Sequence, residues 1–111
     1  MLRWYKIDRA LDLKDKGIVE YKTGRKTICL TWYEEQLYAF SRKCPHAGAP
    51  LKNGWCEDGK VICPFHRHEF DLLSGKGSPG QHNFIHIYPV KHEANAYYIG
   101  IETSFWQSLF G

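Results

Sequence analysis

The chain has 111 residues, is 15% aromatic and carries a formal net charge of +3. This length predicts a single domain over residues 1–111, large enough for one hydrophobic core and too small for an additional catalytic domain. The modest charge, without a run of about five basic residues, argues against a nucleic-acid-binding protein.

The N-terminal residues 1–6 lack the apolar run of a signal peptide. No stretch of the chain approaches the roughly 20 apolar residues that a membrane-spanning helix needs. We therefore expect a soluble, cytoplasmic domain with no membrane partner.

Short runs of alternating apolar and polar residues predict a succession of β-strands. The clearest has residues 28, 30 and 32 on one face and residues 29, 31 and 33 on the other. Further strands are predicted at residues 18–22, 37–41, 61–62, 70–73, 84–90 and 97–101, with turns at 23–25, 58–59 and 92–95. Short strands at regular spacing predict an all-β fold, an antiparallel sandwich or barrel.

The C-terminal residues 104–110 carry the chain's one helical pattern. Ser104 and Gln107 have the spacing of a capping box, and aromatic and aliphatic residues fall on one face. We expect a short helix that covers the sandwich, with a partner-docking patch as the alternative.

Four cysteines are present, and two of them, Cys29 and Cys56, fall in segments that read as strands. Free cysteine is among the most buried residue types, so we interpret both as buried thiols. This interpretation agrees with a reducing compartment.

The other two cysteines belong to two short clusters, Cys44-Pro45-His46 and Cys63-Pro64-Phe65-His66. Thiolates and imidazoles this close together in sequence indicate a metal site. Zinc sites usually keep the two cysteines in one half and the two histidines in the other, whereas each half here has one of each. That order suits two irons, one bound by both cysteines and the other by both histidines.

These two motifs and their flanks resemble those of the Rieske iron-sulfur family. The match is closest over residues 44–51 and 63–71 and extends across residues 17–101. The resemblance implies a Rieske-type antiparallel β-sandwich with a small cluster-binding subdomain, formed by two loops over about residues 44–70. It also implies one [2Fe-2S] cluster per chain, with Cys44, His46, Cys63 and His66 as its ligands. A zinc module and a relative without a bound metal are the alternatives.

A cluster without a substrate site implies an electron carrier. The resemblance therefore implies a soluble Rieske-type ferredoxin that passes one electron from a reductase to an oxygenase or another terminal acceptor. It has no catalytic residues and no small-molecule substrate, so it is not itself an enzyme. The alternatives are an accessory or regulatory subunit of a larger redox complex, similar to a nitrite reductase small subunit, or a sensor.

The resemblance also implies a low reduction potential. Ala49 and Phe65 stand where respiratory members form a loop-clamping disulfide, and His68 and Phe70 stand where high-potential members have hydroxyl groups near the sulfur atoms. Without these features we expect a midpoint near the bottom of the Rieske range, about −150 mV.

Other residues near the motifs have two possible roles. Residues 75–80 resemble the family's third loop, which covers the cluster from the side, or form an ordinary strand connection. Four basic residues beside the loops either steer an acidic redox partner or form a solvated rim: Arg42, Lys43, Lys52 and Arg67. His68 matches no ligand position and is interpreted as a surface residue or a residue behind the ligands.

Overall fold

The computed structural model describes residues 1–24, 26–45, 48–65, 67–81 and 83–102. Within these ranges the strands are β1 (Leu2–Ile7), β2 (Val19–Thr23), β3 (Lys26–Tyr33), β4 (Gln36–Phe40), β5 (Trp55–Glu57), β6 (Lys60–Ile62), β7 (Glu69–Asp71), β8 (Ile87–Tyr88), β9 (Val90–Glu93) and β10 (Ala96–Glu102). Two short 3-10 segments occur at Ala10–Leu13 and Leu51–Asn53.

The strands form three antiparallel sheets. The outer sheet has the order β1-β10-β9, the central sheet β2-β3-β4-β8, and the loop sheet β5-β6-β7. This arrangement confirms the predicted all-β antiparallel fold.

Strand β3 is buried on both faces and divides the hydrophobic interior into two cores. Ile28 and Leu30 belong to an outer core that includes Ile99 of the outer sheet. Cys29, on the opposite face, belongs to a loop core that includes Phe70 of the loop sheet. The alternation predicted for this strand is therefore confirmed, and the central sheet is packed on both sides.

The structure differs from the predicted elements in three places. Strand β1 is additional, whereas β5 contains Cys56, which was expected in a strand of unspecified bounds. Residues 84–86, predicted as the start of a strand, lie outside the ladders and make separate bonds to Gly75 and Ser41. His92, predicted in a turn, lies in β9, and the turn consists of Ala94 and Asn95 in left-handed conformations.

Two predicted elements fall wholly or partly on residues that the structure does not describe. The C-terminal helix at 104–110 lies outside the described residues, as does Arg25 of the predicted turn at 23–25. Within the described ranges, no helix combines the length and apolar character required to span a membrane.

Candidate metal centre

The first motif lies in a tight loop that follows β4. The backbone N–H of Cys44 donates to the carbonyl of Ala49 at 2.8 Å, and the N–H of Gly48 donates to the carbonyl of Cys44 at 2.7 Å. The N–H of Leu51 donates to the carbonyl of Arg42 at 2.9 Å, which closes the base of the loop. Gly48 has a φ of 69°, a left-handed conformation that favours glycine.

The second motif lies in the loop between β6 and β7. The backbone N–H of Cys63 donates to the carbonyl of His68 at 2.8 Å, and Ile62 pairs with Glu69 at the base. Each cysteine N–H therefore bonds to the carbonyl five residues further along, since Cys44 bonds to Ala49 in the same way. The two Cys-Pro motifs thus begin loops that are closed by equivalent backbone hydrogen bonds.

These loops bring the two cysteine side chains together in the loop core. Cys44 is 1% exposed and Cys63 is 0% exposed. Burial raises the pKa of the Cys63 thiol, the backbone N–H of Phe65 lowers that pKa by hydrogen bonding to the sulfur, and the adjacent Cys44 thiol raises it. The structure therefore places two residues, predicted as ligands from distant positions in the sequence, within interaction distance of each other.

The Cys44 and Cys63 side chains have the chemistry needed to bind iron. Both cysteines are free thiols, and two adjacent buried thiolates repel each other unless a cation lies between them. A ferric iron supplies that positive charge, and thiolate sulfur is its usual ligand in iron-sulfur proteins. The other two predicted ligands, His46 and His66, lie outside the described residues.

The remaining described histidines occupy other positions. His68 closes the second loop through its backbone carbonyl, which agrees with a place behind the ligands. The ring of His86 lies 4.5 Å from that of Tyr88, and the ring of His92 stacks on Tyr97 at 4.0 Å. His82 lies outside the described residues.

The two other cysteines are structural. Cys29 is fully buried, and burial, followed by the charge of Glu20, raises its thiol pKa to about 12. Its sulfur lies 3.9 Å from the carbonyl oxygen of Arg42 at the base of the first loop. Cys56 is only half-buried, which is less than predicted, and burial raises its pKa. A raised pKa keeps a thiol protonated, and protonated thiols are poor metal ligands, so Cys29 and Cys56 are not candidate ligands.

A segment beyond β7 is fastened beside the second loop by a side chain that the sequence analysis did not identify. The amide of Gln81 pairs with the backbone of Glu69, accepting from its N–H at 3.1 Å and donating to its carbonyl at 3.2 Å. Ser78 donates its N–H to the same carbonyl at 3.2 Å. Glycine is favoured at position 77, because a Cβ there would lie 2.8 Å from the backbone carbonyl oxygen of Asn83. No sequence signal marks Gln81.

Aromatic residues are exposed beside the second loop. Phe65, within the motif itself, is 55% exposed. Trp55 of β5 is also exposed, and the guanidinium of Arg67 lies 5.3 Å from the centre of its ring. The loop therefore presents apolar surface to solvent next to the predicted ligand His66.

Three of the four basic residues predicted beside the loops have acidic neighbours. Arg42 and Lys52 share Glu20, at 3.6 and 3.8 Å, and Arg67 lies 3.8 Å from Glu57. These exposed pairs contribute little to stability but reduce the local positive charge. Among the described residues, Lys43 has no ion pair.

A comparison with protein families confirms the resemblance carried by the two motifs. Residues 3–89 match the model of the Rieske [2Fe-2S] domain. The chain therefore belongs to the Rieske [2Fe-2S] family, and membership implies a bound [2Fe-2S] cluster.

Among its relatives is the ferredoxin component of the naphthalene 1,2-dioxygenase/salicylate 5-hydroxylase systems of a Ralstonia species. The two are 33% identical over 84 residues, which cover 74% of this chain and 80% of the relative. The match thus extends along most of a small ferredoxin.

Two solved structures share the fold. The ferredoxin of carbazole 1,9a-dioxygenase from Nocardioides aromaticivorans IC177 has a TM-score of 0.76 at 19% identity, over 86% of this chain and 95% of that chain. A proposed NADH-dependent nitrite reductase small subunit from Mycobacterium tuberculosis has a TM-score of 0.80 at 17% identity, over 94% and 99%. At these identities the likeness concerns the fold alone.

Proposed function

We propose that this protein is a Rieske-type ferredoxin that carries one electron from a reductase to an oxygenase or another terminal acceptor. It holds one [2Fe-2S] cluster through Cys44, His46, Cys63 and His66. The observation that carries the proposal is the pair of buried, adjacent cysteines at the starts of two matching loops. The ferredoxin relative from an oxygenase system supports the choice of partners.

The chain's own residues provide the setting for a redox group. When bound, the cluster supplies reversible one-electron chemistry, with thiolates on one iron and neutral imidazoles on the other. The loop core excludes water from both cysteine sulfurs, and the Phe65 N–H stabilises negative charge on Cys63. The exposed Phe65 ring beside His66 offers a contact surface to a partner protein.

The site needs no substrate pocket or general base, so the protein acts as a carrier rather than as an enzyme. We place the cluster-binding subdomain at residues 44–70 within one domain. We also place the protein in the cytoplasm, since free cysteines are typical of a reducing compartment. The role of an accessory subunit, as in nitrite reductase, has only the shared fold in its favour.

Anaerobic purification followed by visible absorption and EPR spectroscopy of the dithionite-reduced protein tests the proposal. We expect a coloured protein with about two irons and two acid-labile sulfides per chain and the EPR signal of a mixed His/Cys cluster. Cys44→Ser should abolish both, because it removes a thiolate ligand. Cys56→Ser, a change at a half-buried cysteine in β5, should preserve them. A colourless, zinc-loaded wild-type protein would contradict the proposal.

A low midpoint potential is the second expectation. Phe70 is fully buried in the loop core and has no hydrogen-bond donor, and Ala49 cannot form a disulfide clamp. We therefore expect a midpoint near about −150 mV, and a lower one for His46→Cys, because thiolate adds negative charge to the site. Potentiometric titration measures both, with His92→Cys on β9 as the control. A wild-type midpoint well above zero would overturn this expectation.

A further inference from the structure

An open groove lies at the base of the first loop, outside the predicted ligand set. Its volume is about 550 Å³. Its walls come from four parts of the chain that are distant in sequence: the start of β3, the residues after β4, the segment around β8, and the end of β10. The lining residues are Lys26, Thr27, Ser41, Arg42, Lys43, His86, Tyr88, Ile101 and Glu102.

The groove combines an apolar floor with a basic rim. Tyr88 and Ile101 are buried, whereas Lys26, Arg42 and Lys43 are exposed. Such a surface favours a ligand that carries both carboxylates and apolar side chains.

The acidic side chains in and near the groove already have basic partners. Glu102, which lines the groove, pairs with the N-terminal ammonium group. Glu20, which lies outside the groove, is shared by Arg42 and Lys52. Within the described part of the chain, neither Lys26 nor Lys43 has an ion pair, and Lys26 lies 5.9 Å from the centre of the Tyr88 ring. Two lysines are thus available to an acidic ligand.

We propose that this groove docks an acidic segment of the protein redox partner, an inference that rests on the proposed carrier function. Lys43 directly precedes Cys44, so their Cα atoms are about 3.8 Å apart. A carboxylate held by Lys43 therefore brings the partner's surface to the first loop. Opposite charges at this position also increase the rate of encounter at low ionic strength.

The groove is less suited to a small free anion. Such a ligand needs several donors that converge on one point. Ser41 is unavailable, because its hydroxyl accepts the His86 N–H at 2.7 Å and donates to the His86 carbonyl at 3.3 Å. The lysines instead line an open surface, which suits carboxylates spaced along a peptide.

Binding of a synthetic peptide to the cluster-loaded protein tests the docking site directly. The probe is a blocked peptide of alternating glutamate and leucine, measured by calorimetry at low salt. The combined variant Lys26→Glu with Lys43→Glu should weaken binding by about tenfold. Lys6→Glu with Lys16→Glu changes the net charge equally at exposed positions outside the groove and should leave the affinity unchanged.

Two further measurements complete this test. A glutamine and leucine peptide should not bind, and inorganic phosphate at equal charge concentration should not displace the acidic peptide. Equal weakening by both double variants, or displacement by phosphate, would overturn the docking site.

Electron transfer to small oxidants provides an independent readout. Each Co(III) complex accepts one electron from the dithionite-reduced protein and becomes Co(II). We expect the groove variant to react more slowly with anionic tris(oxalato)cobaltate(III) and faster with cationic tris(phenanthroline)cobalt(III), at unchanged midpoint potential. Rates that do not change in opposite directions would overturn the inference while leaving the carrier function intact. A protein that binds no cluster would instead refute the carrier function.

Discussion

Asp71 shows how one carboxylate organises the chain directly after the loop sheet. Its Oδ1 accepts the backbone N–H groups of Leu73 at 2.8 Å and Ser74 at 2.9 Å. The bond from Ser74 is the main cause of a lowered Asp71 pKa; the bond from Leu73 and the charge of Lys60 lower it further, against the effect of burial. The ionised side chain therefore stabilises the turn that leads into residues 75–80, the segment that resembles the family's third loop.

This shift predicts a pH-dependent contribution to stability. The folded pKa lies below the unfolded value of about 3.9, so the stabilisation is complete at neutral pH and is lost as the pH falls through the lowered folded pKa. Asp71→Asn preserves an acceptor oxygen but removes the charge. We expect it to reduce the free energy of unfolding at pH 7 by only about 0.5 kcal/mol, because the side chain is only half-buried and solvent screens its charge.

Guanidinium unfolding at a series of pH values checks this expectation. The difference between wild type and Asp71→Asn should vanish at low pH, whereas Asp15→Asn, at an exposed turn position, should show no such trend. All three proteins retain the predicted ligands, so any acid effect on the cluster is common to them. A difference that is constant with pH would show that the charge is not responsible.

At the scale of elements, the pairing of Gln81 with Glu69 substitutes for a neighbouring strand. The side-chain amide satisfies both the N–H and the carbonyl of one residue of β7. Glu69 directly follows His68, whose carbonyl closes the second loop. We therefore expect Gln81 to hold the segment that resembles the third loop in position beside the second.

Replacement of Gln81 by leucine tests this role. Both bonds to Glu69 are lost; the Glu69 N–H loses its partner, whereas the Glu69 carbonyl keeps the bond from the Ser78 N–H. We therefore expect a loss of about 1–3 kcal/mol in the free energy of unfolding. Gln36→Leu is the matched control, since that exposed amide accepts a single hydrogen bond among the described residues, from the Tyr38 hydroxyl. Denaturant unfolding measures both variants, and equal losses would show that the Glu69 pairing has no special role.

The accuracy of the sequence prediction differs between elements for physical reasons. Strand β3 is predicted correctly because its alternation is complete and both faces are packed. Strand β1 is missed because it is an edge strand with mostly exposed side chains. The bounds of β5 were not predicted because none of its three residues is fully buried, so no apolar face marks it. Residues 84–86 alternate like a strand but bond to two separate segments.

In the candidate site, too, some features could be predicted from the sequence and others could not. The order of the cysteines and histidines favours a two-iron ligand set, and of its four members the structure describes Cys44 and Cys63, which it brings together. The basic groove was not predictable, because its walls meet only after the central and outer sheets have packed. The role of Gln81 depends equally on where the chain returns after its Gly-rich segment.

At the scale of the whole molecule, the two cores differ in their relation to the predicted ligands. The loop core contains both Cys44 and Cys63, together with Leu51 and Phe70. The outer core contains neither cysteine and is formed by residues of the central and outer sheets and the nearby 3-10 segment. Since a bound metal stabilises the folded arrangement of its ligands, this contribution falls mainly on the loop core.

Loss of the cluster should therefore loosen one half of the molecule more than the other. We expect the amides of β5–β7 to exchange with deuterium faster in Cys44→Ser than in wild type, while those of β1, β9 and β10 change little. Hydrogen exchange with mass spectrometry measures both regions in one experiment, with Cys56→Ser as the cluster-retaining control. Uniform acceleration across all three sheets would show instead that the cores unfold as a single cooperative unit, because the shared strand β3 couples them too strongly for independent opening.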